Sequence, residues 1–134
     1  MGKKVGIWLD RNKAVIVSIA ARVTARAIIT SDMEHYSLYS KSTSGDGTME
    51  NLRNTRFWNH LGEYYDKIIG HLRDAEEILI LGPEEAKYEL QKRIESEGLA
   101  AQIVAVEDAA KMTDSQINTL VEKRFPSRSQ YDIF

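Results

Sequence analysis

The hydrophobic and polar positions along the chain predict a mixed β-sheet covered by helices. Short runs rich in apolar and β-branched residues come first, then a polar stretch, a long segment with helical periodicity, and two units of strand followed by helix. The opening runs are Val5–Leu9, Ala14–Ile19 and Val23–Ile29. A meander of this kind followed by strand–helix alternation predicts an antiparallel part joined to parallel strands, with helices packed on the sheet.

The opening meander also shows where the chain turns and which strand is exposed. Between the first two runs lies the polar tetrad Asp10–Lys13, and we expect a hairpin turn there because Asp and Asn side chains bond the nearby backbone. The third run alternates and we expect it to be half exposed, at an edge of the sheet. Its apolar face consists of Val23, Ala25, Ala27 and Ile29.

Residues 31–48 are rich in Ser, Thr, Asp and Gly, and they predict a long loop of the kind that is usually functional or mobile. From about Met49 to Leu72 the pattern becomes helical, with Thr48 as the predicted N-cap. We expect this helix to lie across the sheet as its main scaffold. The stripe that it would bury contains Leu52, Trp58, Leu61, Tyr65, Ile68 and Leu72.

The second half of the chain reads as two strand–helix units. Ile78–Leu81 is a continuous apolar run, which favours a central parallel strand. We expect Gly82-Pro83 to open the next helix, with Pro83 in its first turn, and Gly98 to end it.

A last strand is predicted at Gln102–Val106, followed by a helix with a capping box at Thr113–Gln116. We therefore expect a single domain over residues 1–125 and a C-terminal tail at 126–134. The final helix should bury Ile117, Leu120, Val121 and Phe125.

Composition narrows the classes of function. The 134 residues fit one domain, and the absence of cysteine excludes disulfides, thiolate zinc sites and cysteine nucleophiles. With 18 basic and 20 acidic side chains the net charge is −2, which argues against a globally basic nucleic-acid binder but not against local patches. We expect a cytoplasmic protein without a membrane partner, because no apolar segment approaches the length of about 20 residues that a span needs and nothing resembles a signal peptide.

The layout of three strands, a long helix and two strand–helix units is that of the α/β ribonuclease H-like fold, with a five-stranded sheet in a three-layer arrangement and about three helices. Nucleases of this fold hold two metal ions with carboxylates at the centre of the sheet. Asp10 and Glu50 could be two such ligands, but the apolar fourth strand offers no third, and Asp10 is better explained as a turn residue. A degenerate metal-dependent nuclease is therefore a distant alternative.

Other catalytic patterns are missing from the sequence. His35, His60 and His71 lack metal-ligand spacing, and there is no nucleophile elbow, Walker loop or dinucleotide fingerprint. A helix N-terminus after Gly82 would be a common anion site, but Glu84 and Glu85 would repel a phosphate. We expect no cofactor, no metal and no catalytic residue. The sequence therefore favours a binding protein over an enzyme.

One loop and its neighbours remain as candidates for a functional site. Ser44-Gly45-Asp46-Gly47 places two glycines around an acid, which permits a tight turn just before the long helix. Arg53 and Arg56 follow three residues apart on that helix, and Lys41 precedes the loop. The basic residues would be suited to phosphate contacts.

The chain resembles the middle domain of the archaeal and eukaryotic class-1 peptide-release factors and of Pelota. It is more closely similar to their stand-alone bacterial relatives, which are described as translational machinery component-like. The similarity extends from about residue 3 to 125. The segments that carry it are Lys4–Arg11, Ala14–Val17, Ile80–Lys87 and Lys111–Ile117.

In release factors the loop before the long helix carries Gly-Gly-Gln, which promotes ester hydrolysis in the ribosomal peptidyl-transferase centre. Here that stretch reads Ser44–Gly47, and no Gly-Gly-Gln occurs in the sequence. The resemblance therefore implies a non-catalytic domain, without the codon-reading and partner-binding domains of release factors, that associates with ribosomes or structured RNA in stalling, rescue or hibernation. Lys41, Arg53 and Arg56 would contact the RNA.

The main alternative is a protein-interaction module or homodimer with no role in RNA binding. It would use the predicted edge strand or the apolar residues of the C-terminal tail, which are Tyr131, Ile133 and Phe134.

Overall fold

The computed structural model describes residues 2–21, 23–31 and 47–125, with the backbone alone over residues 47–54. Five strands and three α-helices lie in these ranges. They are β1 (Lys3–Leu9), β2 (Lys13–Ala20), β3 (Val23–Thr30), α1 (Gly47–Gly70), β4 (Ala75–Gly82), α2 (Ala86–Ser96), β5 (Ile103–Asp108) and α3 (Asp114–Arg124), with a 3-10 turn at Ala100–Gln102 before β5.

The strands form one sheet in the order β3-β2-β1-β4-β5. β1 pairs antiparallel with β2, and β2 pairs antiparallel with β3. On the other side β1 pairs parallel with β4, and β4 pairs parallel with β5. The predicted combination of an antiparallel meander with two parallel strands is confirmed.

Both faces of the sheet are covered by helices, so the predicted three layers are present. Strand side chains alternate between the faces, and β4 has buried positions on both, which explains its uninterrupted apolar run. On one face α1 and α2 pack on Val5, Ile7, Leu9, Ile16, Ile78 and Ile80. On the other face α3 packs on Trp8, Val15, Val17, Leu79 and Leu81.

The turn between β1 and β2 has the predicted chemistry. The Asp10 carboxylate accepts hydrogen bonds from the backbone amides of Asn12 at 2.8 Å and Lys13 at 2.9 Å. Because this carboxylate closes the turn, Asp10 has the structural role that we predicted for it.

β3 lies at the edge of the sheet, as predicted, but only part of its apolar face is covered. Ala27 and Ile29 pack against the core beneath α1, whereas Val23 is 65% exposed and Ala25 is also exposed. The predicted alternation is therefore correct only for the second half of the strand.

The long helix differs from the prediction in its ends and in one member of its buried stripe. It begins at Gly47, so Thr48 lies in the first turn and is not the N-cap, and it ends at Gly70. Leu72 is buried in the turn that follows. Trp58 is 52% exposed, because its ring lies beside the β1–β2 turn and not over the strands.

The start of α2 also differs from the prediction. We expected Pro83 in its first turn, but β4 continues to Gly82 and the helical hydrogen bonds begin only at the carbonyl of Glu85, which accepts from Tyr88 and Glu89. Pro83 belongs to the connecting turn. Gly98 ends the helix as predicted, with a φ of 82°.

The backbone at the end of α2 forms a Schellman motif, in which Leu99 donates to Ile94 and Gly98 donates to Glu95. At α3 the capping box between Thr113 and Gln116 is confirmed. Ile117, Val121 and Phe125 are buried there, with Leu120 packed partly against them, as the pattern predicted. The predicted tail lies outside the described residues.

Candidate functional site

The predicted loop site falls largely outside the part of the chain that the structure describes. Lys41, Ser44, Gly45 and Asp46 lie outside it, and Gly47 is the first residue of α1. Arg53 belongs to the stretch of α1 with described backbone only. Arg56 is exposed on the same helix. The RNA contacts assigned to these residues therefore stay predictions.

A cluster of polar side chains joins α1, α2 and the β1–β2 turn. Arg11 donates to Glu89 with both Nε, at 3.2 Å, and a terminal nitrogen. The Tyr65 hydroxyl donates to the same carboxylate at 2.5 Å. Because each residue belongs to a different element, the cluster fixes the two helices against the turn.

The ionisation of this cluster suits a clamp and not a proton-transfer site. Burial opposes ionisation of Glu89, but the hydrogen bonds from Arg11 and Tyr65 outweigh it and lower the pKa of this carboxyl below its usual value. The pKa of Arg11 is raised by its bond to Glu89, and burial raises the pKa of Tyr65. A carboxylate, a guanidinium and a neutral phenol therefore pair with one another.

Arg11 also lies over an exposed aromatic ring. Its Cζ is 5.3 Å from the centroid of the Trp58 ring, a cation–π arrangement. Phe57 meets Trp58 edge to face, with the ring centroids 5.1 Å apart and the planes at 89°. Arg56 is exposed on the same helix, but it lies two positions before Trp58, a spacing that places the two side chains on opposite sides of α1. We call Arg11 and Trp58 the Trp58 surface.

Sequence reasoning missed both members of the Trp58 surface. Arg11 was assigned to the turn, and Trp58 was placed in the buried stripe of α1. Helical spacing gave no signal against that placement, since Trp58 precedes Leu61 by three residues and Tyr65 by seven and so shares their face of the helix.

Backbone acceptors in and near the β1–β2 turn hold α1 in place. The Tyr64 hydroxyl donates to the carbonyl of Asp10 at 2.9 Å. Ser31 Oγ donates to the carbonyl of Arg11 at 2.5 Å, and His60 Nε2 bonds the carbonyl of Ser31. Burial, followed by the charge of Asp10, raises the pKa of Tyr64, so that its hydroxyl remains a donor. The middle of α1 is thus attached firmly to the sheet.

A buried lysine of α2 lies beside the ends of β4 and β5. Lys87 is 2% exposed and donates through Nζ to the carbonyl of Glu84 at 2.6 Å. The same nitrogen lies 2.8 Å from the carboxylate of Asp108 and 4.5 Å from the centroid of the Tyr88 ring. These contacts tie the β4–α2 turn to β5.

A cavity of about 380 Å³ lies between Arg11 and the β4–α2 turn. Its lining includes Glu84 and Glu85, while the guanidinium of Arg11 is already paired with Glu89. The balance of charge disfavours a phosphate here, in agreement with the sequence analysis.

Within the described ranges, no group of three or more histidine and acidic side chains could hold a metal ion. No helix there is long and apolar enough to cross a membrane.

The chain matches no protein-family model and no curated protein by sequence. Solved structures do share its fold. The Thermoplasma acidophilum Pelota protein superposes with a TM-score of 0.59 at 18% identity, over 91% of this chain and 32% of the Pelota chain. The archaeal translation termination factor aRF1 gives a TM-score of 0.51 at 12% identity, over 98% of this chain and 42% of that chain.

These matches show that the chain has the fold of a release-factor- or Pelota-like domain, which confirms the resemblance at the level of the fold. It spans about a third of the Pelota chain and less than half of the aRF1 chain. Its equivalence to the middle domain in particular stays a prediction.

Proposed function

We propose that this chain is a non-catalytic, cytoplasmic release-factor-like domain that associates with ribosomes or structured RNA. The observation that carries the proposal is the shared fold with Pelota and aRF1 over nearly the whole chain. One of these proteins is by name a translation termination factor. By extension from that similarity, the proposed role of this chain is in translation, in stalling, rescue or hibernation.

The proposal of a non-catalytic role rests on sequence and on pairing. The segment before α1 reads Ser44–Gly47 where release factors carry Gly-Gly-Gln, and that tripeptide occurs nowhere in the chain. Among the described residues Arg11, Tyr65 and Glu89 bond one another, so their ionisable groups are engaged in a clamp. A domain of this kind would occupy a site on the ribosome without hydrolysing the peptidyl ester.

The proposed RNA contacts follow one helix. Arg53 precedes Arg56 by three residues, close to one turn of α1, and residues at this spacing share a helix face. Tyr64 and Tyr65 hold the helix against the β1–β2 turn and α2, which makes α1 a rigid support. Lys41, before the loop, would add a third phosphate contact.

Co-sedimentation with ribosomes across a salt series tests the proposal. Wild type should bind at low salt and lose binding steeply as salt rises, because phosphate contacts release counterions. The double variant Arg53→Ala/Arg56→Ala should lose binding. Lys111→Ala/Lys123→Ala is the matched control, since it removes the same charge from exposed positions before and within α3, and it should bind like wild type.

Two results would contradict this proposal. Failure of wild type to bind at low salt would remove the ribosomal role. Equal losses in the two double variants would show that binding follows net charge and does not use the face of α1.

A second candidate is a homodimer or protein-interaction module that uses β3. Among the described strands β3 pairs only with β2, and its Val23 and Ile28 are 65% and 49% exposed. Unprotected edges of this kind pair readily with other strands. Light scattering would then show a dimer that withstands salt and that Ile28→Lys disrupts. Loss of the dimer on deletion of Ser127–Phe134, with Ile28→Lys still dimeric, would place the interface in the tail.

A further inference from the structure

We propose that β3 is the interface of a symmetric homodimer. Two copies of β3 pair antiparallel about Ala25, and Arg26 of each copy forms an ion pair with Glu122 of the other. The inference rests on the second candidate function above and deepens it, because it names the partner, a second copy of this chain, and the register of the two strands. It does not depend on ribosome binding.

The first half of β3 is uncovered on both faces of the sheet. On one face only Ala27 and Ile29 pack against the core beneath α1. On the other face α3 packs over β1 and β2, and residues 23–26 of β3 are all exposed, with Val23 at 65%. Among the described strands only β2 pairs with β3, so the outer backbone groups of β3 are available to another strand.

The pairing with β2 shows which residues of β3 are on the α3 face of the sheet. Thr24 lies opposite Ile19, and Arg26 lies opposite Val17. Both β2 residues belong to the core beneath α3, and directly opposite residues share a face of a sheet. Thr24 and Arg26 are therefore on the α3 face. There Thr24 Oγ1 donates to Glu122 Oε2 at 3.4 Å, which places the carboxylate beside the uncovered half of β3.

Two opposite charges on this face have no ion-pair partner among the described residues. Arg26 and Glu122 are both exposed, and they do not pair within one copy. Along the strand, Arg26 lies about 7 Å from Thr24, which bonds Glu122. Residues directly opposite each other on antiparallel strands are only about 5 Å apart. Arg26 of a second copy can thus lie closer to Thr24 than Arg26 of the same copy does.

A twofold axis at Ala25 brings these charges together. Each Arg26 then lies opposite Thr24 of the other copy, beside the Glu122 carboxylate that Thr24 bonds, and the symmetry forms this contact twice. The axis also falls within the uncovered half of β3. On the opposite face of the sheet it sets Val23 against an alanine of the other copy, so that apolar side chains meet there.

Neighbouring registers fit less well. An axis at Arg26 would set two guanidinium groups directly opposite each other, and like charges in that position destabilise a sheet. An axis at Ala27 would place Arg26 opposite the apolar Ile28 and would centre the dimer on the half of β3 that packs beneath α1. An axis at Thr24 would place Arg26 beyond the first residue of the other copy's β3. Charge therefore selects the axis at Ala25.

The opposite edge of the sheet provides an internal comparison. Among the described strands β5 also pairs with one strand only, and its Val104 is 50% exposed. Its charges, however, are already paired within the chain. Glu107 pairs with Arg124, and Asp108 pairs with Lys87. A charge on an edge strand usually prevents pairing with another chain. Only at β3 is an opposite charge without a partner placed to neutralise it, which favours β3 as the interface.

Charge reversal tests the interface, with the dimer dissociation constant measured by light scattering of the protein without ribosomes. Wild type should dimerise. Arg26→Glu sets carboxylates against each other at both contacts, and Glu122→Arg does the same with guanidinium groups. Each variant alone should therefore have a dissociation constant about tenfold above that of wild type. An equimolar mixture of the two should regain the wild-type value, because their heterodimer has one acidic and one basic group at both contacts.

Lys92→Glu and Glu95→Arg are the matched controls, since they reverse the same charges at exposed positions of α2. This helix packs on β4 and β5, away from β3. Both controls should dimerise like wild type. Thermal unfolding checks that each variant folds. Recovery of the dimer in the mixture gives the same information, because two misfolded proteins would not regain a specific contact.

Four results would overturn the inference. They are a wild type that stays monomeric at millimolar concentration, reversal variants that dimerise like wild type, a mixture that does not regain association, and equal losses in the controls. None of them affects the proposed ribosomal role, which is measured by co-sedimentation with the variants of Arg53 and Arg56. Conversely, a wild type that does not bind ribosomes but shows the expected recovery in the mixture would remove that role and leave the dimer standing.

Discussion

The ammonium group of Lys87 lies 2.8 Å from the carboxylate of Asp108, although the side chain of the lysine is 2% exposed and that of the aspartate is 82% exposed. An ion pair with one buried partner differs from an ordinary surface pair, since the buried charge has little water to replace a lost partner. The end of β5 is therefore held by a contact with a buried charge, although Asp108 itself is an exposed residue.

We expect Asp108→Asn to lower the free energy of unfolding by about 1 to 3 kcal/mol, because it leaves a buried ammonium with poorer hydrogen bonding. Asp66→Asn is the matched control. Asp66 pairs with Arg93 at 2.9 Å, but both side chains are substantially exposed, at 58% and 44%. Loss of the pair between Asp66 and Arg93 should lower the free energy of unfolding by less than about 1 kcal/mol. Urea unfolding measures the change in unfolding free energy for each variant. Equal losses in Asp108→Asn and Asp66→Asn would show that burial of Lys87 does not strengthen its ion pair.

Gly82 is required by a close approach between strands. A Cβ at this position would lie 2.3 Å from the carbonyl oxygen of Leu9, and a backbone atom cannot move aside as a flexible side chain can. Gly82→Ala should therefore lower the free energy of unfolding by about 1 to 3 kcal/mol.

Gly70→Ala serves as the control for this substitution. Gly70 is the last residue of α1 and a Cβ there would meet nothing within 4 Å, so alanine should leave stability unchanged or raise it by up to about 1 kcal/mol. Chemical denaturation of the two variants side by side measures the difference. A Gly82→Ala protein as stable as wild type would contradict the crowding at Leu9.

Glu89 should make stability depend on acid pH. Its pKa is below the usual value of 4.5, so the stabilisation that it provides is complete above that pH and is lost as pH falls through the lowered value. The difference in unfolding free energy between wild type and Glu89→Gln should therefore be largest near neutral pH and shrink below about pH 4.5. Denaturation curves at pH 7 and at pH 3 check this, and a difference independent of pH would argue against a charged clamp.

Tyr64 should have the opposite effect, at alkaline pH. Burial raises its pKa above the usual value of 10.0, so its stabilisation is complete below pH 10 and is lost as pH rises beyond it. Tyr64→Phe should be less stable than wild type at pH 7, by about 1 kcal/mol, because the hydrogen bond to Asp10 is lost. Between pH 10 and pH 12 its stability should decline less than that of wild type. Thermal unfolding across this range is the measurement, and parallel declines would contradict the assignment.

Features that depend on neighbouring residues could be predicted from the sequence. The apolar run at Ile78–Leu81 identified the central strand because a strand buried on both faces has no polar position to alternate with. Thr113 and Gln116 identified the start of α3, and Gly98 the end of α2, because caps are made within a few residues of chain. The resemblance in the order of these elements predicted the fold that Pelota and aRF1 share.

The candidate site could be predicted only in part from the sequence. The sequence indicated Arg53 and Arg56 as neighbours on one helix, a relation that spacing alone determines. The contact between Arg11 and Glu89 joins residues 78 positions apart, and no local pattern encodes it. Trp58 likewise reads as one more apolar residue of a helix until the β1–β2 turn is placed beside it.

Local rules thus determined where the strands and helices of this protein lie, because hydrophobic periodicity, caps and turns act over a few residues. Only the tertiary structure decided which charges pair and which ring stays exposed. Those outcomes depend on which elements, distant in sequence, meet at the end of the sheet. The strands stop there, so the helix side chains beyond that end are not covered by the sheet.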